Sequence, residues 1–109
     1  SNGYMPQVLA ISCHVYYDYL FNDSEFKAVV KQRWNAIKSR LDAIANRFDY
    51  WYTTLYASEQ LNWALWPIPP DFESGHHPDC TLTFLQAKNY AKEFYTARLS
   101  YLNGVINSF

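Results

Sequence analysis

From Phe26 onward, apolar residues recur at Val30, Trp34, Ile37, Leu41, Ile44, Phe48, Trp51 and Leu55. The steps are all four or three, which traces one face of an α-helix and does not fit the two-residue alternation of a half-buried strand. Taken literally, the pattern is a single helix from Ser24 to Trp66, about 60 Å long at about 1.5 Å per residue. A chain of 109 residues has a radius of gyration of about 13 Å, so an unbroken rod would project well beyond it. A break is therefore expected, and the weakest stretch is Asp42 to Asn46. This gives two helices, 24–42 and 46–65, as an antiparallel hairpin, with Asn46 capping the second and Asp49 in its first turn.

The flanks of this run carry their own signals. Asn22-Asp23-Ser24-Glu25 reads as a helix start: Asn22 or Asp23 can accept from a free first-turn amide, and Glu25 lies three residues after Asn22 as in a capping box. Before it, Ser12 to Phe21 reads as a short helix with Val15, Tyr16, Tyr19 and Leu20 as its apolar positions, preceded by an irregular lead-in at Met5-Pro6. Trp66-Pro67 ends the second long helix, because the residue before proline is pushed out of the helical region. Residues 67–80, PIPPDFESGHHPDC, form a loop that is long for a compact domain. A last helix, capped by Asp79 or Thr81, runs to about Ile106 on Phe84, Leu85, Ala91, Phe94, Tyr95, the stem of Arg98, Leu102 and Val105. The expected fold is all-α: one helical domain over residues 1–109, a three- to four-helix up-down bundle with one long loop.

Composition narrows the function classes. Half of the residues are hydrophobic and 19% are aromatic, enough for a core and enough to leave aromatic surface that needs covering. The net charge of −1 argues against nucleic acid as a partner, since neutralising phosphates takes a basic excess. The charge is unevenly spread: residues 26–48 carry six bases against Asp42, and residues 49–80 carry five acids and no base. Two such segments most simply face each other or line opposite rims; a basic docking face for an acidic partner is the secondary reading. No apolar run approaches 18 residues, so no membrane span is expected. Ser1-Asn2-Gly3 resembles a scar left by tag removal, which makes the chain a piece of a longer protein. Cys13 and Cys80 fit either one disulfide or two buried thiols.

Each constellation that could carry chemistry has a simpler structural account. His76-His77-Pro78-Asp79-Cys80, with Cys13-His14, offers metal-ligand types, but not at the spacings of structural zinc sites; a solvated loop is preferred and no metal is assigned. Asp71 and Glu73 could serve as an acid–base pair only within a pocket that shifts their pKa values, which sequence does not show. No glycine-rich phosphate loop occurs, so a phosphate-binding role for Arg33 or Arg98 has no support. Both arginines adjoin an apolar stripe and need partners there, with Asp23 for Arg33 and Asp49 for Arg98 as the expected pairs. Trp51, Tyr52, Tyr56, Trp63 and Trp66 crowd one helix. Core and loop packing is the preferred account of them, and a platform for a glycan or protein partner is the alternative.

Several short motifs, in order, resemble the C-terminal part of CotH-family proteins, the spore-coat protein kinase-like family. Leu20-Phe21-Asn22-Asp23-Ser24-Glu25-Phe26 followed by Arg33-Trp34 resembles the family's L-f-x-D-x-x-F and R-W stretch. Phe48-Asp49 sits where the family opens its next helix with an I-D pair, and Asn62 to Trp66-Pro67 resembles its N-x-x-x-W-P ending. Arg98 to Leu102 resembles its R-x-x-W-L-D close, with Tyr101 for Trp and Asn103 for Asp. The resemblance covers about residues 16–106. It implies a parent similar to atypical, ATP- and metal-using protein kinases, exported or coat-associated, which favours the disulfide. The family's nucleotide- and metal-binding residues belong to the part preceding this segment. None of the matched positions is among them, so no catalytic or cofactor role passes to this chain. The expected function is a non-catalytic helical segment that packs on and supports an upstream kinase-like domain of the same parent. Asp23, Phe26, Arg33, Trp34, Asp49, Asn62, Trp66 and Arg98 are its structural motif residues.

Overall fold

The computed structural model describes residues 15–67 and 82–109, and the fold is all-α. Its helices are α1 (Val15–Asn22), α2 (Ser24–Ile44), α3 (Arg47–Leu65) and α4 (Phe84–Asn107), and no strand occurs among the described residues. The expected lead-in, the start of the first helix at 12–14, both cysteines, Asp71, Glu73, the histidine cluster and nearly all of the 67–80 loop lie outside the described residues. The long apolar run is broken as its length demands, after Ile44 and before Arg47.

The helix ends show why the boundaries fall where they do. Asp23 is the N-cap of α2: its backbone is extended (φ −84°, ψ 121°) and its Oδ1 accepts from the Phe26 amide at 2.9 Å. Because Asp23, not Asn22, holds this position, Glu25 stands at the second helical residue and no capping box forms through it. At the other break, Asn46 precedes α3 with helical dihedrals (φ −72°, ψ −19°) and makes no side-chain cap, contrary to the capping role expected of it. The Ala45 amide closes back on Asp42 O at 3.1 Å, a tighter turn that ends α2. α3 stops at Leu65 as expected. The Trp66 amide still donates to Asn62 O at 2.8 Å while its own dihedrals have left the helix (φ −130°, ψ 68°) ahead of Pro67. The cap of α4 is Thr83 and not Thr81 or Asp79. Thr83 Oγ1 accepts from the Gln86 amide at 3.2 Å and Gln86 Oε1 accepts from the Thr83 amide at 2.9 Å, a reciprocal capping box.

The chain divides into two compact units. One comprises Ser1–Ala45 with Phe94–Phe109, the other Asn46–Glu93. In the first, Trp34, Leu99 and Ile106 are buried, with Val30, Leu41, Tyr95, Leu102 and Phe109 packed on them. Leu99 and Ile106 are the α4 core positions. The expected stripe placed the Arg98 stem there instead, one residue out of register with the observed face; Arg98 is half-buried beside it. Phe21 packs against Phe26 and Phe109, at 5.4 and 5.6 Å between ring centroids, which ties α1 and the C-terminal residue to the start of α2.

Candidate functional site

In the first unit the conserved-looking motif residues are joined by polar contacts more than by apolar ones. Trp34 is buried, and its indole N–H donates to Asn103 Oδ1 at 2.9 Å, giving the ring's polar edge the partner that a buried tryptophan needs. Asn103 Oδ1 also accepts from Asn107 Nδ2 at 3.0 Å, and Asn107 Oδ1 accepts from Asn35 Nδ2 at 3.0 Å. Lys31 Nζ donates to the Asn107 carbonyl at 3.0 Å, satisfying one of the orphan carbonyls at the end of α4 and placing a cation at its negative pole. Tyr95 does the same for α2: its hydroxyl donates to Leu41 O at 2.7 Å, a last-turn carbonyl that the Ala45 amide bypasses. Burial, with the Asp42 carboxylate nearby, raises the Tyr95 pKa. These contacts lock α2 to α4. They contain no nucleophile or general base with an activating partner.

The other motif residues have structural roles as well. Asp23 is spent on its cap, and Phe26 is half-buried against Phe21. Arg33 is exposed, so the expected Asp23–Arg33 pair does not form. Asp49 is taken by two lysines of α4, Lys88 at 2.7 Å and Lys92 at 2.6 Å, so the expected Asp49–Arg98 pair does not form either. Arg98 stacks over the Tyr101 ring, 5.7 Å from its centroid. Hydrogen bonds from Lys88, then from Lys92, bring the Asp49 pKa down from 3.8 to about 2.

In the second unit α3 is the element with surplus. Tyr52 is half-buried, 5.0 Å from Phe84 and 5.7 Å from Tyr56, with Lys88 Nζ 5.5 Å from its ring. That makes it a packing residue. Trp51 packs edge-on against Phe48, and Arg47 covers Tyr50 and Trp51 at 4.8 and 5.9 Å. Tyr56, Trp63 and Trp66 are exposed, Trp66 at 73%, as are Tyr50, Trp51, Leu55, Leu61 and Leu65. At 3.6 residues per turn, Tyr50, Leu61 and Leu65 lie opposite Tyr52. A helix apolar on every side belongs inside something, whereas α3 has no buried residue.

Among the described residues no group of three or more His, Cys, Asp or Glu side chains could hold a metal ion, and no helix is long and apolar enough to cross a membrane. A shallow depression on α4 is lined by Ala97, Ser100, Tyr101, Gly104, Val105 and Ser108; it has no titratable pair within it. No protein-family model, curated protein or solved structure matches the chain.

Proposed function

We propose that this chain is a non-catalytic helical segment that packs on and supports an upstream kinase-like domain of a CotH-like parent, exported or coat-associated. The observation behind the reading is α3, which shows large apolar side chains on all sides and buries none of them. Apolar surface of that extent marks a contact surface. The ordered motifs name the neighbour, and the motif residues hold helices together and build no reactive centre. The test compares the natural full-length protein with a version ending before Val15. Loss of solubility or a lower melting temperature is expected on truncation; an equally stable and active truncated protein refutes the supporting role. Micromolar ATP affinity of the isolated 109-residue chain would refute the non-catalytic part.

A second reading uses α3 as a platform for a glycan or protein, because Trp63 and Trp66 are exposed at 44% and 73% and flat rings suit sugar faces. Tyr52, held against Phe84, takes no part in it. Unchanged tryptophan fluorescence across a panel of polysaccharides removes the glycan form of this reading.

A further inference from the structure

The cations of α2 fall into two groups. Its three lysines are all engaged within their own unit: Lys27 over the Phe109 ring at 6.0 Å, Lys31 on the Asn107 carbonyl, and Lys38 on Asp42 at 2.6 Å. Its two arginines, Arg33 and Arg40, are exposed and make no ion pair among the described residues. Seven residues apart, they stand on one side of the helix about 10.5 Å from each other. Val29, 63% exposed, and the exposed Ala36 lie in the same sector of the helix, and no acid does. Between this sector and the buried Trp34 side run the half-buried Phe26 and Ile37 and the exposed Ile44.

Small and apolar side chains flanked by arginines, with acids absent, match the make-up of protein–protein contact centres. A guanidinium offers a fixed fork to a carboxylate and sheds its water more readily than an ammonium does. We infer that the Val29–Arg33–Ala36–Arg40 face of α2 docks against an acidic protein surface, with Arg33 and Arg40 each gripping a carboxylate. Resting on the proposed function, that surface belongs to the upstream domain of the same parent. Two isolated arginines with apolar residues between them are too few for a phosphate backbone, where binding draws on many contacts.

The test is zero-length carbodiimide cross-linking of the natural full-length protein carrying Arg33→Lys and Arg40→Lys, read by peptide mass spectrometry. The exchange supplies amines where guanidiniums stood and keeps the charge. Lys38–Asp42 and Lys88–Asp49, both already in contact, are internal controls. Links from positions 33 and 40 to Asp or Glu residues upstream of this segment are expected. Control links without links at 33 or 40 overturn the inference, as do links only to carboxylates within these 109 residues or to a second copy. The proposed function is read separately, by the truncation experiment. A parent that loses stability on truncation while positions 33 and 40 stay unlinked keeps the supporting role and places its contact elsewhere, on α3.

Discussion

Replacing Asn103 by alanine tests whether the indole–amide bond is what fastens α2 to α4. Trp34 is 8% exposed and its N–H reaches Asn103 Oδ1 at 2.9 Å, across 69 residues of sequence. Asn107 Nδ2 keeps a second acceptor, the Asn103 backbone carbonyl at 3.0 Å, so the truncation orphans chiefly the indole. An unsatisfied buried donor costs about 1–3 kcal/mol. The site is only partly closed to water, which puts the expected loss at about 1–2 kcal/mol, each kcal/mol lowering the melting temperature by about 4–8 °C in a domain of this size. Urea unfolding followed by tryptophan fluorescence and far-UV circular dichroism measures the loss as a shift in midpoint at constant slope. In a cycle with Trp34→Phe, the coupling energy should be about 1 kcal/mol. Asn103→Asp keeps the acceptor and strengthens it by charge. It also sets an anion near the C-terminal end of α4, at a cost of about 0.3–1 kcal/mol, so its stability should fall between those of the native protein and Asn103→Ala. A loss below about 0.5 kcal/mol for Asn103→Ala, or strict additivity with Trp34→Phe, would show that the bond contributes nothing beyond packing.

Three further outcomes follow from the geometry. Asp49 has a lowered folded pKa, from 3.8 to about 2, so its contribution is present above the unfolded value and is lost as pH falls from about 4 towards 2; Asp49→Asn should flatten that part of a stability–pH profile, and an unchanged profile contradicts the pairing with Lys88 and Lys92. Thr83→Ala removes the cap of α4 and should cost about 1 kcal/mol, with Thr83→Ser recovering most of it in the same denaturation assay. Gly104 lies inside α4, and a Cβ there would meet nothing within 4 Å, so Gly104→Ala should stabilise the isolated chain by about 0.5–1 kcal/mol; a destabilised variant would mean that this surface is covered.

The α2 stripe was legible because its apolar steps of four and three hold from Phe26 to Leu41 without a competing pattern. The break near Ala45 was legible only from chain length against domain size, since neither Gly nor Pro marks it. In α4 the face was misplaced at Arg98 because an arginine stem and a leucine one position later fit the same spacing, and packing alone selects Leu99. The Thr83–Gln86 box could have been read from Thr-x-x-Gln before an apolar run, but nearer candidates at Asp79 and Thr81 competed for the role. Partners of Asp49 stand 39 and 43 residues away. The one signal for them was Lys88 and Lys92 at helical spacing with no acid beside them, which identifies a pair of cations and leaves their target open. Of the five α3 aromatics, sequence could count the excess; that Tyr52 turns inward against Phe84 while Trp66 stays out is decided by tertiary contact.

The first unit is assembled from two stretches of chain with the whole of the second between them. Its buried trio of Trp34, Leu99 and Ile106 cannot meet until nearly the last residue has been made, so on the ribosome α2 waits with its apolar face open. Bringing the two stretches together costs closure entropy that grows only slowly with the length between them, and a second unit already folded would shorten the effective loop. Order of synthesis and order of folding are therefore opposed: the segment that begins first finishes last. Removing a few C-terminal residues would take Ile106 from the core of the unit that was begun at the other end of the chain.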